Sequence, residues 1–425
     1  MGLVNRNYPS HQLLAIRRSG RTMKHFAVGV FLTALLSLFL TGNATAQTSF
    51  TTLHTFTGNG DGLAPIGDLV ADSQGVLYGV MQATGSGGKI FSLTPPAMNG
   101  GSWTHKVIYT GKSGPFALAN AVILGPHGEL YGTAQTCPGG FGCVFELTPP
   151  TTQGGNWIPK ILHLFLGAAQ GDGKGVAYGK LALDASGNLY GATQSGGLAD
   201  TTTAGTVFEL SSPTVVGGNW TETVLYKFQS TGKNAFYRPR IGVALGLHGE
   251  LYGLAGAPRT SVFYQLKPPV RHGGTWTTTV INSQGAGGSS DLLVDSLGNL
   301  YANNVQLAPP TVPSGPWVWT LLPSISGSNA GVALGTRTTA FGTELYGTDF
   351  FGNAAYKLTP PSTQGGSWTL TVLHTFLGGS EGDQPLGPPT LDSSGNVFGT
   401  TLRGGTGPCR VTPQHPGCGT LWRLQ

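Results

Sequence analysis

The tripeptide Leu-Tyr-Gly, or a close variant of it, recurs seven times along this 425-residue chain, at intervals of 45 to 62 residues. The aromatic residues of the seven copies are Tyr78, Tyr131, Tyr190, Tyr252, Tyr301, Tyr346 and Phe398. A motif that returns at such a period marks a repeat architecture, in which each copy is one small unit packed on its neighbours. The fold must therefore accommodate seven similar units.

Each unit contains four short apolar runs, which we name A to D. In the third unit these runs are 180–183, 188–192, 206–210 and 221–228. They are rich in Val, Leu, Tyr and Phe and are bounded by Gly, Pro and Asp, which favours β-strands over helices.

Tight turns are predicted between the A and B runs. Asp-x-x-Gly stands there in four units, beginning at Asp72, Asp184, Asp295 and Asp392. Two other units have Gly-x-His-Gly, at 125–128 and 246–249. An Asp side chain that bonds back to the turn backbone, followed by a left-handed Gly, suits a hairpin. We therefore interpret these aspartates as turn formers rather than as metal ligands or catalytic groups.

The C and D runs are joined by a Pro-Pro segment and a Gly-Gly-x-Trp motif. The tryptophans are Trp103, Trp157, Trp220, Trp276 and Trp368, with the variant Ser-Gly-Pro-Trp at Trp317. Consecutive Leu and Tyr in the B run point to opposite faces of a strand, so both faces of each small sheet should be buried. Four-stranded units stacked face to face predict an all-β fold, a seven-bladed β-propeller.

The two ends of the chain predict how the ring closes. Residues 51–56 resemble a D strand without its own A to C strands, and 419–424 resemble a C strand without a D strand. The first strand can complete the last blade and leave no open edge. The fifth unit has almost no gap between its B and C strands, at Asn303-Asn304. A six-bladed ring with one irregular blade is therefore the alternative.

The N-terminus predicts export. Residues 26–40 are apolar and uncharged, follow four basic residues at 17–24 and precede the small-residue site Ala44-Thr45-Ala46. This order is typical of a signal peptide over 1–46, and a run of about 15 residues is short for a membrane-spanning helix. Translation starts at Met1 or at Met23. We expect a mature chain without a transmembrane segment, located outside the cell, on its surface or in the periplasm.

The mature chain is then one domain, 47–425, of seven repeats. Their approximate bounds are 51–103, 104–157, 158–220, 221–276, 277–317, 318–368 and 369–425. Residues 1–46 carry five Lys/Arg and no acid, so their removal takes the formal net charge from +5 to 0. A neutral chain lacks the basic surface that nucleic-acid binding requires, and this class of partner is excluded.

The four cysteines form two close pairs, Cys137 with Cys143 and Cys409 with Cys418. Close, even-numbered pairs in an exported chain predict two local disulfides, each within a B–C loop. A metal site is the alternative, although neither pair has the C-x-x-C spacing.

These motifs resemble the GloVer family of tandem-repeat exported proteins. Residues 187–228 carry nearly the whole pattern, Gly-Asn-Leu-Tyr-Gly, then Gly-Thr-Val-Phe-x-Leu, Gly-Gly-x-Trp and Val-Leu-Tyr-x-Phe. The likeness extends over 51–425. It implies an exported or surface-anchored protein, and it implies no reaction, cofactor or catalytic residue. Because the chain stops at Gln425, we expect no anchor at that end.

Candidate binding residues are sought in the D–A and B–C loops, which differ among the repeats while the A–B and C–D connections are near-copies. Variable loops on a rigid scaffold often carry binding. One D–A loop combines aromatic and basic residues: Lys233, Phe236, Tyr237, Arg238 and Arg240. Aromatic rings suit stacking on sugars, and arginines pair with carboxylate or sulfate. The alternative is a packing plug with solvated arginines.

A second candidate set consists of Asp61, Asp172 and Asp383, in the D–A loops of units one, three and seven. If these loops meet at the channel mouth, the three carboxylates could hold Ca²⁺. The alternative is that each Asp only forms a turn.

An enzyme is the less favoured interpretation. His54, His163 and His374 occupy one repeat position in the D strands, and no nucleophile or metal-ligand spacing accompanies the other histidines. We therefore expect a monomeric, non-catalytic module that needs no cofactor and binds a polysaccharide or a surface protein. The alternatives are a polysaccharide hydrolase or lyase that uses loop carboxylates, and a purely structural surface protein.

Overall fold

The computed structural model describes residues 48–425, apart from 67, 82–86, 99, 112–113, 153, 198–203, 216, 230–236, 258–259, 272–273, 283–290, 303, 313–314, 328, 364–365 and 413–414. The expected signal peptide, 1–46, lies outside the described residues. Within the described part of the chain, no helix is long and apolar enough to cross a bilayer.

The described residues are almost entirely strands and turns. The strands are β1 (Phe50–Thr55), β2 (Val70–Ala71), β3 (Leu77–Met81), β4 (Lys89–Thr94), β5 (Thr104–Thr110), β6 (Ala117–Leu124), β7 (Leu130–Thr136), β8 (Cys143–Thr148), β9 (Ile158–Leu164), β10 (Gly173–Val176), β11 (Ala182–Leu183), β12 (Leu189–Gly196), β13 (Thr206–Ser211), β14 (Thr221–Lys227), β15 (Tyr237–Pro239), β16 (Ala244–Leu245) and β17 (Leu251–Ala257). They continue with β18 (Thr260–Lys267), β19 (Thr277–Asn282), β20 (Leu293–Val294), β21 (Leu300–Ala302), β22 (Val305–Ala308), β23 (Val318–Leu321), β24 (Asn329–Thr339), β25 (Gly342–Asp349), β26 (Ala354–Thr359), β27 (Thr369–Thr375), β28 (Asp383–Pro385), β29 (Thr390–Leu391), β30 (Val397–Arg403), β31 (Arg410–Thr412), β32 (His415–Pro416) and β33 (Thr420–Leu424). Two short 3-10 helices are Ala168–Gln170 and Gly379–Glu381.

These strands form seven antiparallel sheets of four strand positions each, the blades. Blade 1 is β2–β5, blade 2 is β6–β9, blade 3 is β10–β14, blade 4 is β15–β19, blade 5 is β20–β23, blade 6 is β24–β27, and blade 7 is β28–β30 with β33 and β1. The first strands of neighbouring blades contact one another, for example β2 with β6 and β11 with β16. They are therefore the innermost strands around a central channel, and the predicted seven-bladed β-propeller is confirmed.

The ring closes as the sequence predicts. Strand β1 pairs antiparallel with β33, from Phe50 opposite Leu424 to Thr55 opposite Thr420. The N-terminal strand thus becomes the outermost strand of blade 7. Blade 5, the degenerate unit, retains four strands, so the ring has seven blades rather than six.

The A–B turns form through the hydrogen bonds expected of Asp-x-x-Gly. In blade 3, Asp184 Oδ1 accepts from the backbone N–H groups of Ser186 and Asn188, and Gly187 has a φ of 86°. Asp184 Oδ2 also accepts from the hydroxyl of Tyr190, the motif tyrosine. The turn acid therefore fixes the B-strand aromatic as well as the turn.

Five of the seven motif aromatic residues also pack against a tryptophan of the next blade. Both members of the Leu-Tyr pair are buried in blades 1 to 5, as the consecutive apolar residues predict. The aromatic ring meets the Gly-Gly-x-Trp tryptophan of the following blade edge to face, at centroid distances of 5.6 to 6.2 Å. These pairs are Tyr78–Trp157, Tyr131–Trp220, Tyr252–Trp317, Tyr301–Trp368 and Phe398–Trp103. The two most regular motifs are therefore the contact between neighbouring blades.

The innermost strands of blades 3, 4 and 7 are interrupted by a bulge. In blade 4 the pairing runs to Pro239 opposite Ala255 and resumes at Ala244 opposite Tyr252. Bulges redirect side chains and are common near functional sites. In blade 4 the interruption contains the exposed Arg240.

The two predicted disulfides are present, Cys137–Cys143 and Cys409–Cys418. Each lies between the B and C strands of its blade, β7 and β8 in blade 2 and β30 and β33 in blade 7. Both disulfides therefore lie on the face formed by the B–C and D–A loops.

Candidate functional site

The predicted aromatic and basic cluster lies partly on the innermost strand of blade 4. Tyr237 and Arg238 belong to β15 and Arg240 follows it; the two arginines are exposed and Tyr237 is half-buried. Lys233 and Phe236 lie outside the described residues. Tyr237, Arg238 and Arg240 are thus close together, beside the channel, and their role in binding stays a prediction.

Arg238 adopts a left-handed backbone conformation, with a φ of 52°. Ala64 and Gln384 have φ values of 52° and 59°, and each also precedes a proline at the start of an inner strand. A non-glycine residue in this region is uncommon and often marks a functional site. Because three blades share the conformation, it is a feature of the repeat rather than of a ligand site.

Tyr178 of blade 3 lies beside Arg240. The N–H of Tyr178 donates to the carbonyl of Arg240, and the N–H of Gly242 donates to the carbonyl of Tyr178. The bulge of blade 3 is one residue longer than that of blade 4, since Ala182 follows Val176 by six positions and Ala244 follows Pro239 by five. Tyr178 retains 54% of its surface exposed. The backbones of Tyr178 and Arg240, two residues with exposed side chains, are therefore adjacent at this face of the channel.

A charged cluster that sequence reasoning missed lies in the channel itself. Lys180 Nζ lies 3.8 Å from Asp68 Oδ1 and 3.7 Å from Asp291 Oδ2. These residues come from blades 1, 3 and 5. Each lies two positions before the first residue of a short inner strand, β2, β11 or β20. The residues at the matching register in the other blades are Ala121, Gly242, Gly331 and Pro388. Aligning the repeats at this position would have revealed the cluster.

The two carboxylates of this cluster are close enough to influence each other. Burial raises the pKa of Asp68 well above its usual range, the charge of Asp291 raises it further, and Lys180 opposes both effects. The side chains keep 11 to 29% of their surface exposed, whereas the oxygens Asp68 Oδ1 and Asp291 Oδ2 are themselves buried. The cluster therefore places a carboxyl group whose pKa is raised beside a second carboxyl group and an ammonium group.

The three aspartates proposed to bind Ca²⁺ lie in three different blade junctions. Asp61 accepts from the N–H and hydroxyl of Thr57, and Asp172 accepts from the N–H groups of Leu166 and Gly173. Asp383 begins β28, opposite Arg403. The structure does not bring the three carboxylates together. Asp61 and Asp172 lie instead beside D-strand histidines, at 3.6 Å and 3.3 Å.

The opposite face, formed by the A–B and C–D connections, carries grooves between blades. The groove between blades 4 and 5 has a volume of about 740 Å³. Its walls include the exposed side chains of His248 and Lys267 and the half-buried Gln265 and Trp317. Ligand pockets typically have volumes of about 300–1,000 Å³ and combine apolar surface with a few polar groups. This groove fits that description.

A second groove, of about 400 Å³, repeats the same arrangement between blades 2 and 3. His127, Glu129, Tyr131 and Trp220 replace His248, Glu250, Tyr252 and Trp317. A third groove, of about 670 Å³, lies between blades 7 and 1 around Trp103 and Arg423. Grooves on this face thus recur at equivalent junctions.

The glutamate of each twin groove is fixed by hydrogen bonds. Glu250 accepts from the N–H of His248 and from the hydroxyl of Tyr252, at 2.9 and 3.0 Å. Glu129 makes the same two bonds with His127 and Tyr131. Burial and the Glu250 charge raise the pKa of Tyr252 above its usual range, so its hydroxyl remains a donor. The carboxylates organise the groove, and the histidine rings stay exposed at its edge.

The sequence contains the signal for these twin grooves. Blades 2 and 4 alone have Gly-x-His-Gly-Glu before the motif tyrosine, at 125–129 and 246–250. From the sequence alone, this segment is predicted to be a variant turn, on the face whose connections are near-copies. The turn also places an exposed imidazole beside a Tyr–Trp pair. The tryptophan of that pair comes from the neighbouring blade.

This chain is similar to one protein family and to several solved structures. The family model Tachylectin matches residues 39–245, just under half of the chain. No curated protein matches. The chain is similar to a solved Dyadobacter fermentans protein of unknown function, with 14% identity, a TM-score of 0.43, and coverage of 88% of this chain and 99% of that one. The narrower GloVer resemblance remains a prediction.

Two further solved structures are similar to this chain. One is the PQQ-bound aldose sugar dehydrogenase from Streptomyces coelicolor, with 13% identity, a TM-score of 0.42, and coverage of 89% of this chain and 98% of that one. The other is an auxiliary nutrient binding protein from Bacteroides thetaiotaomicron, with 13% identity, a TM-score of 0.43, and coverage of 89% and 77%. At these values the likenesses bear on neither ligand nor activity.

Proposed function

We propose that this protein is an exported, non-catalytic binding module whose ligand is a carbohydrate held in the grooves between its blades. The observation that carries the proposal is the duplication of one groove, with His, Glu, Tyr and Trp at matching positions, between blades 4 and 5 and between blades 2 and 3. A polysaccharide with repeating units could occupy both grooves at once, which raises the overall affinity through multivalency.

The chemistry of the groove between blades 4 and 5 supports a sugar ligand. Trp317 offers an aromatic surface for the apolar face of a sugar ring. His248, Gln265 and Lys267 offer hydrogen-bond donors for hydroxyl or carboxylate groups. The lectin-type name of the matching family model points the same way.

The groove offers little for hydrolysis. Glycoside hydrolases commonly use a pair of carboxylates about 5–10 Å apart. Glu250 is the one acidic residue among the described residues that line this groove, and it is engaged with His248 and Tyr252. This groove therefore favours binding over turnover, whereas the groove between blades 2 and 3 is lined by two glutamates, Glu129 and Glu146.

Export is part of the proposal. It rests on the signal peptide expected over 1–46 and on the two disulfides, since such bonds persist in oxidising compartments. An extracellular or periplasmic location would place the grooves in contact with glycans.

The test is binding of the mature chain, from Gln47, to a panel of neutral and acidic polysaccharides. His248→Ala/Lys267→Ala changes two exposed side chains of the groove, so it should fold normally and weaken binding at least about tenfold, or roughly 1.4 kcal/mol. The matched control, Tyr178→Ala/Arg240→Ala, alters exposed residues on the opposite face and should bind like the wild type.

The reverse result would move the site. If only Tyr178→Ala/Arg240→Ala weakens binding, the ligand lies at the channel mouth near the predicted Tyr237–Arg240 cluster. A panel with no binding at all would contradict the carbohydrate ligand.

A second candidate function, polysaccharide hydrolysis or lysis, is favoured by the pair Asp68 and Asp291. Two neighbouring carboxyl groups in different environments are the usual pair for acid and base roles. The test is product analysis after long incubation with the same panel. Release of oligosaccharide that is lost in Asp291→Asn would support the enzyme, and unchanged substrate would exclude it for that panel.

A further inference from the structure

A mixed cluster of metal-ligand residues lies at the outer edge of the junction between blades 2 and 3. His163 is on β9, Asp172 is in the following D–A loop, and Glu222 is on β14 of the next blade. His163 Nε2 lies 3.3 Å from Asp172 Oδ2, and one ligand atom from each of the three residues lies within 4.8 Å of the others. Three different segments therefore converge on one point.

The Glu222 carboxylate is incompletely satisfied. Asp172 accepts backbone N–H bonds from Leu166 and Gly173, whereas Glu222 Oε1 is buried and has no hydrogen-bond partner. A buried carboxylate oxygen without a partner is destabilising, and pairing with a cation relieves it. A positively charged ligand at this position would pair with Glu222 Oε1 and offset the cost of its burial.

Two other junctions repeat the histidine and acid but not the second carboxylate. His374 lies 3.3 Å from Glu381, and Phe50 stacks on that histidine at 4.0 Å, in the place of Glu222. His54 lies 3.6 Å from Asp61 and is stacked with His105. Among the His–acid pairs that the structure describes, the junction between blades 2 and 3 alone adds a second carboxylate. The His374–Glu381 pair is therefore a matched control, within the same chain, for the role of Glu222.

We propose that His163, Asp172 and Glu222 bind one Zn²⁺ ion, which ties blade 2 to blade 3. In a tetrahedral site with bonds of about 2.0–2.2 Å, the ligand atoms lie roughly 3.3–3.6 Å apart. The His163–Asp172 separation already has this value, and the ligand atom of Glu222 lies within 4.8 Å of the other two. His163 keeps 21% of its side chain exposed, which leaves room for a water as the fourth ligand.

The donor set selects the class of metal. One imidazole nitrogen and two carboxylates suit Zn²⁺, whereas Ca²⁺ takes six to eight oxygen ligands. The charge of Lys227 also acts on Glu222. Its ammonium group would compete with the ion, so Lys227→Met should tighten metal binding.

The test is calorimetric titration of the untagged mature chain, first freed of metal by chelation, with Zn²⁺ alone. The expected result is one tight equivalent per chain, which Glu222→Gln weakens at least about tenfold. The same variant should abolish the intense visible absorption of tetrahedral Co²⁺ in the metal-exchanged wild type. Glu222→Gln conserves shape, and its melting curve without metal checks that it folds.

His374→Ala is the matched control and should leave both the stoichiometry and the affinity unchanged. Equal binding by the wild type and Glu222→Gln would overturn the proposal, as would loss of the tight equivalent in His374→Ala. Titration with Ca²⁺ should give no comparable heat, and a tight Ca²⁺ equivalent lost in Glu222→Gln would contradict the choice of metal.

Discussion

Tyr301 of blade 5 lies edge to face against Trp368 of blade 6, with ring centroids 6.2 Å apart and planes inclined at 80°. The Tyr301 hydroxyl donates to Asp295, and the Trp368 indole N–H donates to Gln306 of blade 5. One blade therefore anchors both rings, although Trp368 belongs to the next blade. The motif tyrosine and the tryptophan of the next blade therefore join neighbouring blades.

Truncation of this tryptophan should weaken the whole ring. Trp368 is 9% exposed, and replacing a buried aromatic residue by Ala typically costs about 3–5 kcal/mol. Trp368→Ala should therefore lower the free energy of unfolding by about 3 kcal/mol in urea titrations. Val270→Ala, at a fully exposed site in a C–D connection, should change it by less than about 0.5 kcal/mol. Equal stability of the two variants would show that the contact does not join the blades.

The two disulfides should each contribute separately to stability. They close short loops with sequence separations of 6 and 9 residues. The chain-entropy relation gives about 2–3 kcal/mol for loops of this size. Cys137→Ala/Cys143→Ala and Cys409→Ala/Cys418→Ala should therefore lower thermal stability by similar amounts and leave the circular dichroism spectrum unchanged. Free thiols in the unreduced wild type, detected by alkylation and mass spectrometry, would contradict the pairing.

Protonation of His105 should make the fold less stable in acid. Burial, and secondarily the charge of His54, lowers the pKa of His105 to about 4 from its usual 6.5. Between these values the unfolded chain binds a proton that the folded chain does not, so the contribution of His105 is present above pH 6.5 and is lost as the pH falls toward 4.

The variant His105→Phe tests this effect, because Phe50 occupies the same position beside His374 in blade 7. Its stability should fall less than that of the wild type between pH 7 and pH 4.5, as measured by urea unfolding. Parallel pH profiles for the two proteins would show that His105 titrates normally.

Loss of Lys180 should leave two carboxyl groups facing each other in the channel. Removing one partner of a fully buried ion cluster costs about 3–5 kcal/mol, and less where the side chains are partly exposed, as they are here. Lys180→Met should therefore destabilise the protein by about 2 kcal/mol at pH 8. Adding Asp68→Asn should restore part of that loss, because it removes the repulsion. If the double variant is no more stable than Lys180→Met, the carboxyl groups are not coupled.

The fold was predictable because its signals are local or periodic. The Leu-Tyr-Gly triplet gives the number of blades, the unpaired D-like strand at 51–56 gives the closure, and each cysteine pair lies within one loop. None of these inferences needs knowledge of how distant blades meet.

The candidate sites were harder to predict because they depend on contacts across the ring. Asp68 and Asp291 meet Lys180 only when blades 1, 3 and 5 surround one channel. Glu222 is an ordinary strand residue until the histidine of blade 2 lies beside it. Comparing the repeats by register would have marked these charged exceptions, although not their partners. The Gly-x-His-Gly-Glu turns were visible, but their grooves form only with the neighbouring tryptophan.

The most direct test of the account is the hydrogen-exchange footprint of the polysaccharide that binds most tightly in the panel. At saturation, we expect slower exchange in the twin grooves, at 126–131 with 212–220 and at 246–250 with 309–317. The channel face, at 176–180 and 237–241, should exchange as in the free protein. Protection confined to that channel face would contradict the proposed sites, even if the ligand is a carbohydrate.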